Sequence, residues 1–520
     1  AHLLAVPLVV YKALLSLFGA DSHLPFTILS IVLHLGTVTM VYVLLSRPLG
    51  GWVALLPALL VLFLGSGWEV MVNTAAMQNQ FGIIAGLGML LCLERGDRRG
   101  DIGAGILLAV SMASFTIGLA FAAAAAVRLL ADRFTAGATL RRLAIVAVPV
   151  ALYAGWYLWA RQFDQVSLSA YSISSLPSGI FDQLSAIGAG ISGLFRPTIA
   201  PEAGDSVVVV DGRTAVLAVG LLVLLVLRLR VPPRPGAAAW SWLALLFAYL
   251  VLIAIGLDEA RFPNASRYVY MGTVLLVVAA GGLLSGVRIT RPWLLATVAL
   301  LALSLIANVA AIRSGGRFLE DESALNEAEL AALELSRGTV DPNYVLEDDF
   351  TDAVYPYKDL TFPAREYFAT TDELGSPALS EPELAAASEG ARDIADEIFA
   401  GIAGVAVGEG AAPGSGAPPV VAEQLGAEVE TRGPCVEARA ADPGGPFGVV
   451  VELQPGGFLY ASKAPPQSVE LRRYGTAGVP LDASGAAGTV ALSADASPRP
   501  WQAVLALQGT TRICSLGTGA

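Results

Sequence analysis

The sequence has few charged residues and few of the side chains that carry most soluble-enzyme chemistry. Only 15% of its 520 residues are charged, and it holds three histidines and three cysteines. The histidines, at positions 2, 23 and 34, are not spaced as a metal site. We find no Walker loop, no dinucleotide fingerprint after a strand and no suitable nucleophile elbow. These absences argue against the common nucleotide-dependent and metal-dependent enzymes, and a net charge of −12 gives no support to nucleic-acid binding.

Long apolar runs fill the chain up to about residue 312. Hydrophobic residues make up 55% of the sequence, with a mean hydropathy of +0.64, which indicates a polytopic α-helical membrane protein. Several runs are short, and we expect broken or re-entrant helices around 52–66 and 102–131. The sequence predicts about ten spans, at 24–46, 52–66, 79–93, 102–114, 117–131, 143–160, 213–230, 238–257, 269–286 and 293–312.

Arginine falls in alternate loops, which predicts the topology in a plasma membrane. By this rule the arginine loops are cytoplasmic, whereas residues 1–23, 67–78, 161–212, 258–268 and everything after 312 are extracytoplasmic. Ten spans place both ends outside, so we expect a further helix before Ala1. The arginines are Arg47, Arg95, Arg98, Arg99, Arg128, Arg133, Arg141, Arg142, Arg228, Arg230, Arg234, Arg288 and Arg291.

The region after residue 312 is acidic and divides into three parts. It holds 13 basic and 31 acidic residues. Residues 313–407 contain helical patterns such as "DESALNEAELAALELSRG", which ends at Gly338, and favour a solvated stalk or lid. Residues 408–419 form a Gly, Ala and Pro linker. Residues 420–520 hold short β-rich runs typical of a small β-sandwich or jelly roll.

Two cysteines and three aromatic residues stand out in the last part. Cys435 and Cys514 bracket it, and an extracytoplasmic location predicts a disulfide between them. Trp501, Tyr460 and Tyr474 either stack on sugars or fill the core of the sandwich, and the core is favoured.

Polar residues cluster in two predicted outer loops. In "GSGWEVMVNTAAMQNQFG", Trp68 is expected to anchor the chain at the membrane surface, and Glu69, Asn73 and Gln78 are candidates to face a substrate cavity. No metal site is indicated there.

The second loop, "DEARFPNASRYVYMG", supplies Arg261, Arg267 and Tyr268. Arg267 either snorkels and pairs with a nearby acid or holds a lipid phosphate bidentately, and the local sequence does not separate the two. Tyr270 is expected to be a surface anchor, and the sequon at Asn264 is a weak glycosylation candidate in so short a loop.

The order of "AHLLAVPLVVYKALLSLFG", the spans that follow it, "SFTIGLAF" and "NASRYVYMG" resembles membrane glycosyltransferases of the GT-C superfamily. The part after residue 312 resembles uncharacterised actinobacterial proteins of this kind. The resemblance implies transfer of a sugar from a polyprenyl-phosphate donor to a cell-envelope glycan or glycolipid on the outer face, often with Mg²⁺ or Mn²⁺ nearby.

The same resemblance assigns roles to individual residues. It implies that Arg267 and Tyr268 match a recurrent Arg-Tyr pair at the donor phosphate and that His2 borders the active site. It also implies that the catalytic acid lies in a loop before Ala1. The alternatives are a non-catalytic scaffold of envelope polysaccharide synthesis and a lipid or polysaccharide transporter.

Overall fold

The chain folds into two compact units. The computed structural model describes residues 2–131, 136–163, 174–199, 206–256, 262–346, 362–403, 405–408, 417–442, 445–453, 457–482, 485–491 and 499–516, without the side chains of 136–141, 199 and 406. The first unit runs to Leu319 and is mainly helical, and the second begins at Glu320 and combines helices with sheets.

Helices form at all ten predicted positions of the first unit. Within the described residues, seven helices are long and apolar enough to cross a membrane, or eight if a pair bent by 43° is one span. This agrees with a membrane protein, and the bent pair lies where a broken helix was predicted. The helices are α1 (Ala5–Phe18), α2 (Leu24–Leu49), α3 (Gly51–Leu62), α4 (Trp68–Val72), α5 (Met77–Arg95), α6 (Arg98–Ser114), α7 (Gly118–Ala131), α8 (Ala136–Ala160), α9 (Leu176–Ser192), α10 (Gly212–Arg230), α11 (Ala237–Ile255), α12 (Ser266–Leu283) and α13 (Arg291–Leu335).

The predicted loop 161–212 contains ordered structure that the sequence did not indicate. Helix α9 lies within it and is followed by a hairpin of β1 (Pro197–Ile199) and β2 (Ser206–Val208). Small residues let α9 approach its neighbours closely: a Cβ atom on Gly190 would meet the Ser66 hydroxyl at 2.4 Å. A helix of 17 residues rich in Gly, Ala and Ser is too short and too weakly apolar to be recognised as a span.

Helix α13 is longer than its apolar run predicts. The apolar part ends near residue 312, but the helix continues to Leu335. Polar and acidic residues that prefer helix replace the apolar ones without breaking the backbone. The predicted helical pattern "DESALNEAELAALELSRG" therefore belongs to the same helix, and the chain turns at Gly338, whose φ is +91°.

The predicted arginine loops meet at one end of the helical bundle, which we call the arginine end. There Arg47 pairs with Glu94 at 2.7 Å, and Arg142 pairs with the buried Asp101 at 3.3 Å. Arg228 donates hydrogen bonds to three backbone carbonyl groups after α10 and at the end of α12. Alternate loops meet at one end only if the helices between them run back and forth, as the sequence-based topology requires.

The second unit contains helices and two antiparallel sheets. The sheet orders are β10-β9-β12-β7-β4 and β3-β11-β8-β13-β6-β5. The helices after α13 are α14 (Ala364–Leu374), α15 (Glu381–Ala386) and α16 (Glu389–Ala403). The strands are β3 (Ala406–Gly408), β4 (Val420–Leu425), β5 (Ala427–Arg432), β6 (Cys435–Ala440), β7 (Phe447–Glu452), β8 (Phe458–Ser462), β9 (Ser468–Arg472), β10 (Val479–Pro480), β11 (Ala487–Ala491), β12 (Gln502–Leu507) and β13 (Thr511–Ser515).

Both sheets and the preceding helices share one hydrophobic core. Tyr460, Tyr474 and Trp501 are 1%, 5% and 4% exposed, so the core interpretation of these aromatics is correct and sugar stacking on them is excluded in this conformation. Phe399 of α16 packs against Tyr474 with ring centroids 5.8 Å apart. The expectation of a solvated stalk is therefore wrong for α16, because its apolar face lies in this core.

The predicted disulfide is present. Cys435 and Cys514 are paired residues on the neighbouring strands β6 and β13, and both are buried. The bond closes a loop with a sequence separation of 79 residues.

Replacing both Cys435 and Cys514 by alanine should lower the free energy of unfolding of the second unit by about 2–4 kcal/mol, because the unfolded chain loses a long-range cross-link. Hydrogen exchange of β6 and β13 in the full chain measures this, with Cys92→Ala as the control. Alkylation of both cysteines without reductant would contradict the bond itself.

A buried carboxylate attaches α16 to the end of β9. Asp396 is 0% exposed and accepts hydrogen bonds from the backbone N–H groups of Arg473, Tyr474 and Gly475. Burial raises the pKa of the Asp396 carboxyl, and the N–H groups partly oppose that rise. This side chain fixes the helix against the sheet.

Asp396→Ala should destabilise the second unit by about 3 kcal/mol, because three N–H groups lose a charged acceptor. Glu397→Ala, at the exposed neighbouring position, should change the unfolding free energy far less. Equal hydrogen-exchange protection of β9 in the two variants would show that Asp396 does not hold the helix.

Candidate functional site

Three predicted outer loops converge at the opposite end of the first unit from the arginine end. We call it the loop end. Glu69 of α4 is 5% exposed, and its carboxylate accepts backbone N–H groups from Ser206 of β2 and Arg267 of α12, both at 3.1 Å. One side chain therefore links segments that lie far apart in the sequence. In the structure this carboxylate holds the backbone of β2 and α12 in place, whereas the sequence made Glu69 a candidate to face a substrate cavity.

Trp68 is a second buried side chain at this junction, by which we mean the place where α4, β2 and the start of α12 meet. Its indole N–H donates to the Ser206 hydroxyl at 3.0 Å, and its ring contacts Phe318 edge-on, with centroids 5.9 Å apart. A Cβ atom on Gly315 would lie 2.3 Å from the indole ring, so only glycine allows this packing. The expectation of a surface anchor is wrong for Trp68, which is 5% exposed.

The β1–β2 hairpin forms hydrogen bonds with the residues just before α12. The Asn264 amide donates to the Val208 carbonyl at 2.7 Å, and the Val208 N–H donates to the Asn264 carbonyl at 3.0 Å. Val207 forms an isolated β-bridge with Ala265. The nitrogen that a sugar would modify in the sequon is thus used within the fold.

Arg267 stands in the first turn of α12, immediately after this junction. Its guanidinium lies over the Tyr268 ring, 5.1 Å from the centroid, and both residues are partly buried. The Tyr249 hydroxyl donates to the Tyr268 carbonyl at 2.9 Å. Hydrogen bonds to the Arg267 N–H and to the Tyr268 carbonyl therefore fix the backbone from which the Arg267 side chain extends.

A layer of polar side chains lies beside the junction. Asn308 of α13 accepts the Ser66 N–H at 3.0 Å and donates to the Gly190 carbonyl at 3.0 Å. His34 bonds the Tyr270 hydroxyl at 2.9 Å. The expectation of a surface anchor is wrong for Tyr270, which is 0% exposed, and His34 is a buried, hydrogen-bonded residue of α2.

The other predicted site residues do not join this group. His2 lies beside Thr116 and stacks on Phe115 with centroids 5.0 Å apart. Asn73 accepts the Ala75 N–H at 2.9 Å and so caps a turn. Gln78 is partly buried at the start of α5. Arg261 lies outside the described residues.

Sequence reasoning missed Ser206, Asn264 and Asn308 as parts of this junction. A lone asparagine within the apolar run of α13 was the one available signal, since a polar side chain there needs a partner. The roles of Ser206 and Asn264 depend on contacts between distant segments, which a local pattern does not contain.

The residues present do not fit a divalent metal. Among the described residues no group of three or more His, Cys, Asp or Glu side chains could hold one. Glu69 already uses both carboxylate oxygens on backbone N–H groups.

Comparison with known proteins identifies no relative: no family model, no curated protein and no solved structure matches the chain.

Glu69→Ala should lower the unfolding free energy of the first unit by about 2–5 kcal/mol, because two N–H groups lose a buried charged acceptor. Glu69→Gln keeps one acceptor oxygen and should fall between alanine and wild type. Thermal unfolding of the purified full chain measures the effect.

The matched control is Glu94→Gln at the arginine end, where the partner Arg47 is 67% exposed and the ion pair is worth little. If Glu69→Ala unfolds at the same temperature as this control, Glu69 does not hold the loop end together.

Proposed function

We propose that the protein is a membrane glycosyltransferase that binds a polyprenyl-phosphate-linked sugar at the loop end and transfers the sugar to a cell-envelope glycan or glycolipid. The observation that carries the proposal is the position of Arg267: a guanidinium at the start of an apolar helix, fixed through its own backbone by a buried carboxylate. The resemblance to GT-C enzymes supports the same residue.

A lipid phosphate needs a cation at the level where the lipid headgroup meets the helices. The planar guanidinium of Arg267 suits two phosphate oxygens at once, and the N-terminal end of α12 adds a favourable dipole. The Tyr268 ring limits the directions in which the guanidinium can point. Arg267 would therefore reach a phosphate without a large loss of side-chain freedom.

Two buried serine hydroxyls at the loop end are left without hydrogen-bond partners among the described residues. Ser66 and Ser266 are 2% and 1% exposed, and within the described part of the chain their hydroxyl oxygens have no hydrogen-bond partner. Buried polar groups without partners are unusual and often belong to functional sites. A buried water would satisfy them.

In the proposed reaction the acceptor oxygen attacks the anomeric carbon of the sugar. The bond from that carbon to the phosphate oxygen breaks, and polyprenyl phosphate leaves with the bonding pair. Arg267 stabilises the negative charge on this phosphate. A base must take the acceptor proton, and we assign that base to no residue of this chain.

Arg267→Ala in the full-length protein should weaken binding of polyprenyl phosphate, the product common to all such donors, about tenfold to hundredfold, because charge-assisted hydrogen bonds are lost. Arg267→Lys should keep part of the affinity as a point charge. Titration of the purified protein with polyprenyl phosphate measures this, and sugar transfer should fall in parallel.

The variants separate binding from folding. The hydrogen bond to Glu69 uses the backbone N–H of Arg267, so Arg267→Ala retains it. Arg213→Ala is the matched control, an 84% exposed arginine at the start of α10. If Arg267→Ala binds as tightly as this control, the phosphate role is wrong.

A wild-type protein that binds no polyprenyl phosphate would favour the scaffold, and binding without transfer would favour a transporter.

A further inference from the structure

A groove of about 400 Å³ runs between α6 and α8. Its lining is apolar apart from Asp101, and several of its side chains are strongly exposed, among them Ile106 at 59% and Leu152 at 67%. In a membrane protein such side chains face lipid chains. The lining residues used below are Asp101, Ile102, Gly105, Ala109, Ala144 and Ile145.

Small residues and a proline create the groove. A Cβ atom on Gly105 would be 3.8 Å from the Ile145 backbone, so Gly105 forms the floor, while Ala109 and Ala144 leave the sides open. Pro149 lies inside α8 and has no N–H to give to the Ile145 carbonyl four residues earlier. A volume of about 400 Å³ is small beside a helix about 10 Å across, so a single hydrocarbon chain suits the groove better than a partner helix does.

Positive charge stands at the end of the groove. Arg98 lies one helical turn before Ile102, on the stripe that continues to Gly105 and Ala109, and Arg99 adjoins it. Both arginines are exposed.

Within the described residues Arg98 and Arg99 form no ion pair, although the charge of Arg99 stabilises the nearby Asp97 carboxylate. Asp97 pairs with Arg95 at 3.3 Å, and Asp101 pairs with Arg142 at 3.3 Å. The end of the groove therefore keeps a positive charge at the depth of lipid headgroups.

We propose that this groove binds an anionic membrane phospholipid, with one acyl chain between α6 and α8 and the phosphate at Arg98 and Arg99. An acyl chain matches the apolar lining, and a net negative headgroup complements the two arginines better than a zwitterionic one. The site is at the arginine end, and it does not depend on the proposed reaction at Arg267.

The test measures lipid retained by the purified full chain in native mass spectrometry after addition of phosphatidylglycerol or phosphatidylcholine. Wild type should retain phosphatidylglycerol preferentially. Arg98→Gln with Arg99→Gln should weaken that binding about 25-fold, since each arginine near the headgroups strengthens binding about fivefold. Arg230→Gln with Arg234→Gln, also exposed at the arginine end, is the matched control and should bind as wild type does.

The acyl chain has its own test. Gly105→Leu should fill the groove and reduce retention, whereas Gly155→Leu, where a Cβ atom on α8 meets nothing within 4 Å, should not. Soluble glycerol phosphate should fail to compete, because it has no chain. Equal retention of the two lipids, no effect of the arginine pair, or no effect of Gly105→Leu would each overturn the proposal. Arg267→Ala should leave phosphatidylglycerol binding unchanged.

Discussion

The loop end depends on one buried charge. Glu69 is almost completely removed from solvent, and a carboxylate in that position is costly unless hydrogen bonds stabilise it. Its two backbone partners, on β2 and α12, supply that stabilisation only if the hairpin and the helix are both in place. The cost of burying the charge therefore ties three segments to one geometry, and the position of Arg267 follows from it.

In the second unit, too, a buried carboxylate accepts hydrogen bonds from backbone N–H groups. Asp396 is buried and accepts three backbone N–H groups, which fixes α16 on the end of β9. Backbone donors supply the hydrogen bonds to this carboxylate, and the charge of Arg473 adds to their stabilisation. In both units a single buried acid joins separate elements through their backbone N–H groups.

The sequence predicts elements whose signal is local, and it fails where the signal lies between distant segments. The spans of α2 and α11 follow from apolar runs, and the disulfide follows from two cysteines in a β-rich segment. Trp68 and Tyr270 resemble surface anchors because aromatic residues favour interfaces, but packing from α13 and from His34 buries them. The candidate site was half predictable: Glu69 and Arg267 stand out as charges beside apolar runs, whereas their link through the backbone does not.

The central claim is that Glu69 positions Arg267 for a lipid phosphate, and a double-mutant cycle on polyprenyl phosphate binding tests it most directly. The affinity is measured for wild type, Glu69→Gln, Arg267→Ala and the double variant, each with its folding verified. We predict that Glu69→Gln weakens binding when Arg267 is present and has little further effect in the Arg267→Ala background, with a coupling energy of about 0.5–3 kcal/mol. Additive effects of the two substitutions would contradict the claim.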